Sequence, residues 1–160
     1  MASIKHLYVL RHGEAKPGIG HLGDIKRPLT EKGQKHIEKL SKILAGREIS
    51  FDLVLMSPSI RTSQTGEIIS KYVFSKEIIV EDDIYEAETM ALLHLLNKIN
   101  EPVENLLLIG HNPSLSALIL YLTGNGSVNL HPGMLAIVEV SVENWNLLGK
   151  NTGILKEIIL

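Results

Sequence analysis

The sequence predicts an α/β sandwich, with helices on both faces of a mostly parallel central sheet and three layers in all. Two observations carry this. Short, continuously apolar runs at residues 7–10, 53–56, 78–80 and 106–109 read as strands covered on both faces. Segments with apolar residues at helical spacing lie between them, and such alternation builds a parallel sheet. A chain of 160 residues fits one domain with a real core, so residues 1–160 are read as one unit.

The elements follow in order. The first strand stops at Arg11-His12-Gly13. Residues 18–28 hold Gly18, Gly20, Gly23 and Pro28, which is loop chemistry, and His21 there reads as a surface residue. Thr30 is a helix cap, with Glu31 in the first turn where negative charge is favourable. Ile37, Leu40, Ile43 and Leu44 form its apolar face, and Gly46 lies near its stop. The second strand breaks at Ser57-Pro58, with Ser57 read as a cap and Pro58 as a first-turn residue. Arg61 is then about one turn into a helix reaching about residue 72. Leu92, Leu95, Leu96 and Ile99 make another apolar face. The fourth strand ends at Gly110-His111-Asn112-Pro113, and a largely apolar helix follows over residues 114–122. Gly124 and Gly126 mark a turn, residues 135–142 alternate as a strand, and residues 153–159 form the last one.

Composition narrows the function. A net charge of -2 argues against bulk binding to nucleic acid or to an acidic membrane surface. With no cysteine, disulfides, thiolate metal sites and a cysteine nucleophile are excluded. Residues 1–5 lack the apolar stretch of a signal peptide, and the apolar run at residues 117–122 is far too short to span a membrane. A cytoplasmic location is expected.

In open α/β sheets ligands sit beyond the carboxyl ends of the strands. Arg11-His12, Ser57-Pro58 and His111-Asn112 all fall there, so they are expected to be neighbours. Neutral imidazole is a competent nucleophile near pH 7. His12 is the candidate nucleophile, and Gly13 permits close backbone approach beside it. Arg11 and Arg61 offer forked donors matched to phosphate oxygens. His111 can hydrogen-bond a phosphoryl oxygen or add positive charge. Two histidines and two arginines make a phosphate pocket that needs no metal or cofactor. The other histidines show no metal-ligand spacing; His36 reads as structural and His94 as solvated.

The run Leu10-Arg11-His12-Gly13-Glu14 resembles the Arg-His-Gly signature of the histidine phosphatase superfamily, which includes the phosphoglycerate mutases. Ser57-Pro58-Ser59-Ile60-Arg61-Thr62-Ser63-Gln64-Thr65 resembles the family's second motif, and Gly110-His111-Asn112 its third. The order matches, and the resemblance covers nearly the whole chain. It implies a phosphoglycerate mutase-like fold in which His12 is phosphorylated and then freed by water. Arg11, Arg61 and His111 would complete the pocket. Short length, and Arg27-Pro28-Leu29-Thr30 with a glycine three residues later, are similar to the SixA branch of phosphohistidine phosphatases. Arg27 is an additional candidate phosphate contact. Asn112 is another, although a cap or turn is the commoner use of that residue type at such a place.

Ester-cleaving members of the superfamily commonly use a carboxylic acid to protonate the leaving oxygen. Glu86 and Glu88 follow the third strand, roughly where that acid would lie, and Glu86 is the candidate. Glu14 is a third local candidate, but it reads as an orienting or loop-stabilising carboxylate rather than the acid. Imidazole leaves more easily, so a phosphohistidine phosphatase can dispense with the acid. The expected substrate is a phosphorylated signalling protein such as a phosphotransfer domain. The alternative is a small phosphate monoester, a sugar phosphate or nucleotide. A mutase is disfavoured because no insertion is long enough to make a lid against water. A catalytically dead binding module is disfavoured because all four pocket residues are present. Nothing in the sequence requires an oligomer.

Overall fold

In the computed structural model, which describes residues 4–18, 23–100 and 102–160, the apolar runs become strands of one six-stranded sheet. Gly20 and His21 lie outside the described residues. The strands are β1 (Lys5–Arg11), β2 (Leu53–Met56), β3 (Ile78–Val80), β4 (Asn105–Gly110), β5 (Leu135–Val140) and β6 (Gly153–Ile159). The helices that matter below are α1 (Glu31–Gly46), α2 (Ile60–Ser70), α3 (Thr89–Asn97) and α4 (Ser114–Thr123). Strand order is β3-β2-β4-β1-β5-β6. The first four run parallel, while β5 is antiparallel to β1 and β6 to β5. The sheet is thus mostly parallel with an antiparallel margin.

Successive strand residues point to opposite faces, so a strand apolar at every position serves two cores. Leu7, Val9, Leu55, Leu106 and Leu108 enter one core, with Leu92 and Leu96 of α3 and Leu115, Leu118 and Leu122 of α4. Tyr8, Leu10, Val54, Leu107 and Ile109 enter the other, with Ile37, Leu40 and Leu44 of α1 and Ile68 and Ile69 of α2. This is the three-layer α/β/α sandwich. Each fully buried side chain of this kind contributes roughly 1.5–3 kcal/mol. Trp145 closes the first core and donates its indole N–H to the carbonyl of Val103 at 2.8 Å.

Three boundaries differ from the sequence reading. Helix α2 is capped by Ser59, whose side chain accepts from the amide of Thr62, and not by Ser57. The Ser57 hydroxyl is engaged with His111 instead, at 2.8 Å. Arg61 is therefore the second residue of α2 and lies in its first turn rather than one turn in. The helix ends at Ser70, after which the amides of Lys71 and Tyr72 close tight turns onto Ile68 and Ile69. Strand β5 ends at Val140, whose partners Lys5 and Gly153 are the terminal residues of β1 and β6.

The cap of α1 is the expected one. Thr30 Oγ1 accepts from the amide of Gly33 at 2.9 Å and donates to the Glu14 carboxylate at 2.8 Å. Glu14 thereby ties the loop after β1 to the helix start. Gly33 matters for a second reason. A Cβ there would collide with the carbonyl oxygen of Glu14 and stand 3.0 Å from its amide nitrogen. The neighbouring atoms are backbone, so they cannot rotate away. Gly33→Ala is expected to lower stability by about 1–3 kcal/mol, the usual cost of overpacking. A urea titration checks this; an unchanged midpoint would mean that the loop after β1 yields freely.

Candidate active site

The order β2-β4-β1 places three consecutive strand ends side by side. In register, Arg11 lies opposite Gly110 and Met56 opposite Ile109. Each chain continues one residue past its strand into His12, His111 and Ser57. The rings of His12 and His111 stand 5.3 Å apart, centroid to centroid. Arg61 enters from the start of α2 and joins them. Its Nε donates to His12 Nε2 and its Nη2 to His111 Nδ1, both at 3.3 Å. The structure thus brings His12, His111 and Arg61 into direct contact, with Arg11 adjoining.

The motif around α2 reads as a set of anchors. Thr62 Oγ1 donates to the carbonyl of Ser57 at 2.7 Å, fixing the turn between β2 and the helix. Gln64 accepts from the amide of Leu29 at 2.7 Å. Thr65 Oγ1 accepts from the amide of Gly13 at 3.2 Å and donates to the carbonyl of Arg61 at 2.7 Å. One turn of helix therefore grips the loop that carries His12.

These contacts determine the proton positions. A guanidinium only donates, so His12 Nε2 and His111 Nδ1 must both be lone-pair acceptors. His12 Nδ1 then bears the proton and donates to the carbonyl of Gly13 at 2.7 Å. His111 Nε2 bears the other and donates to Ser57 Oγ. Electrostatics agree. Burial above all pushes His12 down to about 4, against its Gly13 hydrogen bond, and Arg61, Arg11 and Arg27 push the same way. Burial, then Arg61 and His12, bring His111 down to about 3. Both imidazoles are neutral at pH 7, and His12 presents an unprotonated Nε2.

Arg11 donates through Nη1 to the carbonyl of Leu130 at 3.0 Å, while its buried Nε has no partner among the described residues. Burial and the charges of Arg61 and Arg27 lower its pKa. Arg27 donates through Nε to the carbonyl of Lys16 at 2.7 Å and pairs with Asp24 at 3.2 Å. Asn112 uses both ends of its amide within the fold. Its Nδ2 donates to Leu130 O at 2.8 Å, and its Oδ1 accepts from Ser116 N and Oγ at 3.1 and 2.9 Å. That amide shapes the turn into α4. Glu86 is exposed, with a positive φ of 55°. Glu88 precedes α3 and is also exposed.

Two residues of the pocket were not found in the sequence. Asp24 accepts from Arg27, from Arg61 Nη2 at 3.2 Å and from the hydroxyl of Tyr85 at 2.5 Å. Those donors, led by Tyr85, hold its carboxyl down at about 2. The same contact, with burial, pushes the Tyr85 phenol up to about 12. The Tyr85 ring meets His111 edge-on at 5.6 Å. A carboxylate three residues before a candidate phosphate-binding arginine was the available signal for Asp24. Tyr85 had none beyond adjacency to Glu86. Among the described residues no cluster of three or more His, Cys, Asp or Glu could hold a metal ion.

Known proteins resemble this chain in sequence and fold. The model of the histidine phosphatase superfamily (branch 1) matches residues 7–101. An uncharacterized protein of Picosynechococcus sp. is 31% identical over 68% of this chain and 67% of its own. The phosphohistidine phosphatase SixA of Escherichia coli is 28% identical over 71% of each chain. Among solved structures, a protein histidine phosphatase SixA complexed with tungstate superposes with a TM-score of 0.82 at 23% identity, over 96% of each chain. With a three-motif pocket at successive strand ends and these matches, the chain belongs to the histidine phosphatase superfamily.

Proposed function

We propose that this phosphatase removes phosphate from phosphohistidine on a signalling protein, through a phosphorylated His12 and without a metal. The observation that carries the reading is the pairing of a neutral, lone-pair-presenting His12 Nε2 with a pocket whose one tightly held carboxylate, Asp24, bears no proton at pH 7. Nucleophile and guanidiniums stand together, while that carboxylate is no acid. A substrate whose leaving group takes up its own proton near neutral pH suits such a pocket. Imidazole does this; an alkoxide does not. The likeness to SixA proteins supports the same choice.

The chemistry proceeds in two displacements. His12 Nε2 attacks phosphorus, the bond from phosphorus to the substrate's imidazole nitrogen breaks, and that nitrogen takes a proton from solvent. Water then attacks phospho-His12, the phosphorus–nitrogen bond breaks with its electron pair returning to Nε2, and inorganic phosphate leaves as one proton of the water passes to solvent. Arg11 and Arg61, aided by Arg27, hold the phosphoryl oxygens as charge spreads over them. His111 is neutral in the empty pocket, and an arriving phosphate dianion favours its protonation. The Nδ1 proton of His12, held by Gly13 O, fixes the ring so that Nε2 faces phosphorus.

His12→Ala is expected to cut turnover by about 10³-fold or more, as loss of a nucleophile does. Full activity in that variant would end this mechanism. Turnover of a phosphohistidine peptide should exceed that of a panel of phosphate monoesters, all with chelator present. Ester preference would make the protein a small-molecule phosphatase and Glu86 or Glu88 the next residue to change. The pH profile has a definite sign. His12 must be neutral to attack, and its pKa lies at about 4, below the usual 6.5. After allowance for substrate ionisation, kcat/KM should hold as pH falls through 6.5 and drop only on approach to 4. An acid limb centred at 6.5 would mean that His12 is not desolvated as described.

A further inference from the structure

Asp24 is a carboxylate inside a pocket built for an oxyanion. Its two oxygens take three donors from three separate segments. Arg27 Nη1 reaches Oδ1, and Arg61 Nη2 and the Tyr85 hydroxyl reach Oδ2. Arg61 Nη2 is also the group that touches His111 Nδ1, and Arg61 Nε touches the attacking nitrogen of His12. An oxyanion brought to His12 therefore needs the same guanidinium face that Asp24 holds. Carboxylate and phosphoryl group present alike to a guanidinium, as planar or tetrahedral sets of oxygens matched by forked donors.

The two partners of this ion pair differ in freedom. The Asp24 side chain is 38% exposed and that of Arg61 only 7%. The Asp24 carboxylate already borders water, and an arriving oxyanion replaces on Arg61 the acceptor that it removes, so the exchange leaves no buried guanidinium unpaired. Arg61 has a separate tether, since its Nη1 donates to the backbone carbonyl of Asp24 at 2.7 Å. The carboxylate can leave while the backbone carbonyl keeps the guanidinium in place. Of the three side-chain donors to Asp24 among the described residues, Tyr85 alone carries no charge, so it strengthens the carboxylate's hold without adding to the pocket's attraction for an anion.

We propose that Asp24 is an internal competitor of phosphate, which occupies Arg27 and Arg61 in the empty pocket, yields to the phosphoryl group, and returns as inorganic phosphate departs. Three guanidiniums around one phosphate dianion would otherwise hold the product tightly, and product release limits turnover in many enzymes. Asp24 thus sets phosphate affinity, and Tyr85 sets how firmly Asp24 competes. This rests on the reading of the pocket as a phosphate site.

The experiment is calorimetric titration of inorganic phosphate into wild type, Asp24→Asn, Tyr85→Phe, Asp24→Ala and the Asp24→Ala/Tyr85→Phe double variant. Thermal melts confirm that each is folded. Asp24→Asn should bind phosphate about three- to tenfold more tightly, and kcat and KM should fall together. Tyr85→Phe leaves the charge unchanged but should also tighten binding, by about two- to threefold, and should add nothing in the Asp24→Ala background. Unchanged or weaker binding by Asp24→Asn would overturn the proposal and make Asp24 a positioning residue for Arg61. Tightening by Asp24→Asn with none by Tyr85→Phe would also overturn it, since a fixed charge alone would suffice. Wild type that binds no phosphate would overturn the pocket reading itself.

Discussion

A buried guanidinium between two imidazoles governs this site. Arg61 is 6% exposed, and a cation so placed is costly unless its donors are met. Its Nε and Nη2 are met by His12 and His111, which are thereby held as neutral acceptors. The proton on each ring is displaced to the far nitrogen, where Gly13 O and Ser57 Oγ receive it. One charge in a dry place thus settles tautomer and ring orientation for both histidines, and adds to the burial that keeps them neutral. The backbone carbonyl of Asp24 meets Arg61 Nη1 and keeps that charge in place.

The fold supplies the place in a simple way. Three parallel strands, β2, β4 and β1, apolar and buried on both faces, align their carboxyl ends beside the exposed edge strand β3, and the chain leaves the core there at successive neighbours. Residues just past those ends are close in space yet free of core packing. Helix α2 then brings one long cation across from its first turn. The short polar residues around it hold backbone rather than substrate. Ser59 caps, Thr62 fixes the turn, and Gln64 and Thr65 hold Leu29 and Gly13.

Much of this was legible because its causes are local. The central strands are uninterrupted apolar runs, and a strand that must be buried twice has few alternatives. Thr30 and Glu31 declared a helix start in two adjacent residues. What was misread depends on distant partners. Ser57 looks like a cap, but its hydroxyl serves His111, 54 positions away, and the cap passes to Ser59. Asp24 and Tyr85 meet across 61 positions, and neither carries a mark of that meeting. Asn112 shapes the turn into α4 through Leu130 and Ser116, the commoner use of that residue type at such a place. Motif membership showed where residues gather, whereas hydrogen-bond geometry showed what each one holds.

The position of β4 governs when such a pocket can exist at all. It lies between β2 and β1, which do not pair with each other. Until β4 is inserted, the first two strands have no shared edge, and the loops that carry His12 and Ser57 have no common platform. A nascent chain that has emerged only as far as β3 has His12 and Arg61 already made but no sheet to set them side by side. Closing that gap joins segments about a hundred residues apart, a long-range step that is slow to nucleate. The reactive nitrogen therefore gains its partners only when β4, the last of the four parallel strands to be synthesised, joins the sheet.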